Sequence, residues 1–156
     1  MSDAHRTGSR MLTLHPDGSP GLLLWRVTLS WQRQITAALK PFGLTHVQFV
    51  LLASAWWLTR QATETPSQRR IAEHAAVDPM MTSQVMRVLA TKGLVTRAAD
   101  PADGRALRIA VTAAGGELAL RAVRAVEAVD RDFFAAAPDH DALIVALRAL
   151  GPPIDH

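Results

Sequence analysis

The chain has no cysteine in its 156 residues, which removes disulfides, thiol redox sensing, cysteine-bound zinc and a cysteine nucleophile together. It also has no long apolar run. Hydrophobic stretches are short and broken by charge or helix caps, and the first residues show no apolar core followed by a small-residue cleavage site. A cytoplasmic protein with no membrane partner is therefore expected. Signatures of catalysis are missing as well. There is no glycine-rich phosphate loop, no serine elbow and no His-Glu-x-x-His helix, and Gly115-Gly116 stands alone at a helix start, so neither an enzyme nor a cofactor is expected. The six histidines show no short-range ligand spacing with carboxylates, so no metal is expected either.

What is present is a helix-rich globular composition, 49% apolar, in a length that suits one compact domain or a small binding unit completed by helices from a second copy. The net charge of +3 is modest, but its distribution is informative. From Arg69 to Arg108 seven basic residues face four acidic ones, whereas from Glu117 to His156 four basic face seven acidic. A basic middle beside an acidic tail suits a phosphate-facing centre on a scaffold that does not touch phosphate.

Residues 1–20, with Gly8, Pro16, Gly18 and Pro20, read as an arm with little structure of its own. Leu24, Val27, Trp31, Ile35 and Leu39 then recur at helical spacing, predicting a long amphipathic helix from about 21 to 40 that ends near Pro41 and Gly43. Thr45 can cap a second, mostly apolar helix. Thr65-Pro66-Ser67-Gln68 has the form of a capping box with proline at the first helical position. After a tight turn, Asp78-Pro79 opens a helix to Lys92, stopped by Gly93. Two short helices joined this closely form a helix-turn-helix. Leu94–Arg97 and Leu107–Val111, separated by the turn-rich 100–104 segment, predict a β-hairpin, the wing. Thr112 can cap a helix to about Ala135, and Asp139 a last one with Leu143, Leu147 and Leu150 on one side. The expected fold is mainly α with one small β-hairpin. A winged helix-turn-helix spans 45–111, and helices at 21–44 and 112–150 carry surplus apolar surface best buried in a homodimer.

In the 79–92 helix, Met81, Val85, Val88 and Leu89 fall on one arc and are expected to face the core. Met80, Ser83 and Arg87 lie opposite, with Gln84 and Met86 at the borders. Such a face suits the major groove of double-stranded DNA, where Ser, Gln and Arg hydrogen-bond to base edges and an apolar group meets a thymine methyl. Arg105, beside Gly104 in the wing loop, is a candidate for the minor groove, and Asp103 for pairing with an arginine or a backbone amide to hold the loop. Arg97 and Arg108 are candidate phosphate-contacting or loop-supporting residues. Arg69 and Arg70 start the preceding helix, where phosphate also meets free amides.

The segments Leu89–Arg97, Asp100–Arg105 and Val111–Gly115 resemble the recognition-helix end, wing and following helix start of the MarR family of transcriptional regulators, and helix order matches that family over nearly all of 21–150. The resemblance implies a triangular homodimer whose terminal helices form the interface and whose two wings bind a pseudo-palindromic operator, usually as a repressor. It places Arg105 on the wing arginine that enters the minor groove and Asp103 on the aspartate that orders the wing. Gln84 and Gly104 depart from the common pattern, each standing where many members carry arginine. The resemblance also implies a small aromatic effector between dimerisation helices and DNA-binding domain, for which Trp25, Trp31, Trp56, Trp57 and His46 are candidate ligand-binding residues. The alternative is a dimeric winged-helix module for protein interaction that does not bind specific DNA.

Overall fold

A computed structural model describes residues 18–152; most of the expected N-terminal arm lies outside them. The first helix, α1, is Pro20–Leu39, with Ser19 as its cap and Pro20 in its first turn, so residue 20 belongs to the helix and not to the arm. Only the C-terminal part of α1 is buried, through Ile35 and Leu39. Its N-terminal part exposes Leu22, Leu23, Leu24, Trp25, Val27 and Leu29, an apolar surface that the described residues leave uncovered. A 3-10 turn, Lys40–Phe42, ends at Gly43 with φ 65°, the left-handed conformation that glycine adopts without steric penalty.

Helix α2, His46–Gln61, begins with a complete capping box formed by Thr45 and Gln48. It forms the centre of the core, burying Phe49, Leu51, Leu52, Ala55 and Leu58. Helix α3 is Gln68–Ala75, capped by the Ser67 side chain, which accepts from the Arg70 amide. This corrects the expected cap at Thr65. Residues 65–67 run extended instead: the Pro66 carbonyl accepts from the Ile109 amide, and Ser67 bridges to Arg108. Pairing with the wing outweighs the local capping pattern, and the helix starts two residues later. Ala76, with φ 52°, turns the chain into α4, Pro79–Thr91, whose first amides at Met80 and Met81 both donate to Asp78 Oδ1.

Strands β1 (Val95–Ala99) and β2 (Leu107–Val111) form an antiparallel hairpin in which Val95 pairs with Val111 and Ala99 with Leu107. Helix α5, Ala113–Phe134, starts at the Thr112 cap and packs on both α1 and α2. Helix α6, His140–Leu150, is capped by Asp139 and has no buried residue; Leu150 at its end is 83% exposed. No single helix among the described residues is long and apolar enough to cross a membrane.

Candidate nucleic-acid interface

Helix α4 buries Thr82, Val85, Met86 and Leu89, and leaves Met81 and Val88 each 41% exposed. The buried arc is thus rotated by about 60° from the expected one, counting 100° per residue. The reason is Thr82, whose hydroxyl donates to the Asp78 carbonyl at 2.9 Å. With its polar atom satisfied inside the helix, its methyl can occupy the core, and Met81 and Val88 move to the outer side. Met80, Gln84 and Arg87 are exposed and Ser83 is half-buried on that outer face.

The wing is held by a chain of local bonds. Asp103 Oδ1 accepts from the Arg105 amide at 3.0 Å, and the Asp103 carbonyl from the Ala106 amide at 2.9 Å. Ala106 in turn accepts from the Asp100 amide at 2.9 Å, closing the loop. This leaves the Arg105 side chain exposed. Arg108 is committed to the fold: Nε donates to Asp100 Oδ2 at 2.6 Å and a terminal nitrogen to the Thr65 carbonyl at 2.6 Å. This geometry fits the loop-supporting role read for Arg108; two of its five N–H donors are used, and the partly exposed guanidinium keeps the others. Arg97 is half-buried, with Nε enclosed and unpaired. Arg69 pairs with Glu73 one turn along α3 at 2.8 Å, and Arg70 is exposed.

Asp100 is buried, which its place in a turn-rich segment does not announce. Its Oδ1 accepts from the Ala102 amide at 2.9 Å. That backbone bond first, with the Arg108 guanidinium beside it, holds the carboxyl below the ordinary aspartate range against the opposing effect of burial. A groove of about 890 Å³ runs between wing and helix-turn-helix, bordered by Arg69 and Arg70 on α3, by Asp78, Pro79 and Thr82 at the start of α4, and by Arg105 and Arg108 on the wing. The start of α4 and the wing arginine therefore border one open groove.

The five residues read as an effector site do not all converge. Trp31 and His46 meet edge to face, with ring centroids 5.1 Å apart, and Trp31 Nε1 donates to Asp130 Oδ1 at 2.7 Å. Burial lowers the His46 pKa from its ordinary value, with the Asp130 charge opposing. Trp56 lies under the Arg60 guanidinium, 5.2 Å from the ring centroid, and next to Gly116. Trp25 and Trp57 are 62% and 50% exposed. Asp130 was not foreseen; 99 residues separate it from Trp31, and no local pattern joins the two. Among the described residues no group of three histidines or carboxylates is placed to hold a metal ion.

The model of the MarR family matches residues 44–107. The chain is 42% identical over 135 residues to the HTH-type transcriptional regulator YdcH of Bacillus subtilis, covering 86% of this chain and 91% of that one. It is 38% identical over 119 residues to the HTH-type transcriptional repressor Rv2887 of Mycobacterium tuberculosis, covering 75% and 81% respectively. The crystal structure of Rv2887 with DNA superposes with a TM-score of 0.65 at 32% identity, covering 87% of this chain and all of that one. Its complex with salicylic acid gives 0.62 at 36% identity, covering 86% and 98%.

Proposed function

Since the chain belongs to the MarR family, we propose that it represses transcription as a homodimer on a pseudo-palindromic operator and is released by a small aromatic acid. The observation that carries the DNA-binding part is the groove shared by the wing and the start of α4, a helix that also leaves Met80, Gln84 and Arg87 exposed. In this reading Gln84 and Arg87 meet base edges, while Ser83 sits at the margin of that face. Met80, with Met81 and Val88, supplies apolar contact to thymine methyls. Arg105 enters the minor groove from a loop that Asp103 holds in shape. Arg70 and Arg69 face phosphate, Arg69 once released from Glu73, and Arg97 supports the hairpin. A cytoplasmic location follows from this reading, since that is where an operator would be met.

Dimerisation is supported by the uncovered apolar surface of α1 and α6, which a lone chain would leave in water. The effector reading is supported by the Trp31–His46 contact and its Asp130 partner, which join α1, α2 and α5, and by the salicylic acid complex of Rv2887. An aromatic acid stacking there would compete with the Trp31 contact and move α2 relative to α1.

Sedimentation of the protein with a selected duplex tests the assembly, and two chains per duplex is the expected stoichiometry. Salicylate is expected to quench tryptophan fluorescence and lower operator affinity in the wild type, with both effects reduced in Trp31→Phe. Monomeric protein, or DNA binding that salicylate leaves unmoved, contradicts the respective part.

A further inference from the structure

Lys92 stands at the C-terminal cap of α4. Its Nζ donates to the Gly43 carbonyl at 2.7 Å and to Gln48 Oε1 at 3.1 Å. Both acceptors lie at the junction between α1 and α2. Gly43 is the left-handed residue that ends the 3-10 turn, and Gln48 Oε1 also accepts from the Thr45 amide at 3.2 Å, completing the α2 cap. The same first turn of α2 carries His46, in contact with Trp31, which is bonded to Asp130 on α5. A continuous series of contacts thus runs from α5 through α1 and the start of α2 to the end of α4.

We infer that Lys92 is a positioning residue for DNA reading, which fixes the pose of α4 against the α1–α2 junction so that rearrangement at Trp31, His46 and Asp130 reaches the helix. The inference rests on α4 being the DNA-reading element. The competing role for a lysine in a basic segment is direct attraction to phosphate. Its geometry favours positioning: two of the three ammonium protons are directed to acceptors of its own chain. Lys92 also stands at the C-terminal end of α4, where the helix dipole favours positive charge. Because Lys92 is exposed, these bonds contribute little to overall stability. Their effect is on orientation, where the α4 N-terminus is already fixed by Asp78 and its middle by the buried Thr82 and Met86.

The test uses the full chain, a duplex obtained by selection and a random duplex of equal length, across a range of salt. Lys92→Met keeps the stem and removes the donors; Lys92→Arg keeps the charge and changes the geometry. Both are expected to lose on the order of tenfold in affinity for the selected duplex and less than about twofold for random DNA, with the salt slope unchanged. The loss of selected-duplex affinity that salicylate causes is expected to shrink in Lys92→Met, and less than additively when Trp31→Phe is combined with it, as coupled sites require. Equal losses on both duplexes with a slope shallower by about 0.9, rescued by arginine, would make Lys92 a phosphate contact and overturn the inference. Strict additivity with Trp31→Phe would overturn it too. If the wild type prefers no sequence, the operator reading falls and this inference with it.

Discussion

Replacing Gly115 by alanine is expected to lower the melting temperature, while the same replacement at the adjacent Gly116 raises it. A Cβ on Gly115 would lie 1.9 Å from the Leu94 carbonyl oxygen, 2.8 Å from its carbon and 3.1 Å from Val111 Cγ1. The obstacle is backbone, and it cannot swing aside freely because the same oxygen accepts the Thr112 amide at 3.1 Å. A Cβ on Gly116 would meet the Trp56 ring at 3.7 Å, an ordinary contact. Both substitutions gain up to about 1 kcal/mol of helix propensity. At Gly115 this is opposed by overpacking of about 3 kcal/mol, the upper end for a core site, since backbone must yield. The net is a loss of about 2 kcal/mol at Gly115 and a gain of about 1 kcal/mol at Gly116. For a chain of this size that corresponds to a fall of about 4–8 °C and a rise of about 2–4 °C. Thermal melts at matched protein concentration check both, since the proposed dimerisation would make the midpoint concentration-dependent. A Gly115→Ala protein melting at or above the wild type would refute the close approach of α5 to the base of the wing.

Further outcomes are expected at the wing, the cap and the half-buried histidine. Asp100→Asn replaces an acceptor beside Arg108 and is expected to lower operator affinity on the order of tenfold, with Tm changed by less than about 3 °C; binding titrations and melts of the same preparation check it. Because the Asp100 pKa is lowered in the fold, its contribution is complete above the ordinary value of 3.8 and is lost as pH falls through the folded value. Proteolysis of the wing should therefore rise in acid, and less so in Asp100→Asn. Asp78→Ala removes the acceptor of two helix amides and is expected to cost about 1 kcal/mol, or about 2–4 °C, in a thermal melt. His46 has a lowered folded pKa, so the unfolded chain takes up the proton first. Stability is complete above the ordinary value of 6.5 and declines as pH falls below it. Denaturant titrations at several pH values should show that decline in the wild type and a flatter profile in His46→Gln.

Much of the fold was legible because its signals are local. Thr45, Asp78, Thr112 and Asp139 each place a side-chain acceptor at a helix start, and Gly93, with φ 72°, marks the end of α4. The reading failed where a distant partner competed with a local one. Thr65-Pro66 has the composition of a cap, but the β2 amide of Ile109 draws it into extended pairing. The rotation of α4 was missed because Thr82 ranks as polar until its hydroxyl is seen to bond within its own helix. The site was legible to a similar degree. Arg105 and Asp103 sit in one short loop, where spacing suffices. Asp100 with Arg108, Lys92 with Gly43, and Asp130 with Trp31 are joined only by tertiary folding, and nothing in their spacing announces the pairs.

The most direct test of the central claim is selection and sequencing of randomised double-stranded DNA bound by the purified protein, run in parallel with Arg105→Ala. The account predicts enrichment of an inverted repeat with half-sites about one helical turn apart, and affinity lower on the order of tenfold for the variant. No enriched sequence at low salt, with binding indifferent to Arg105, would contradict it and leave a winged-helix dimer that binds protein instead.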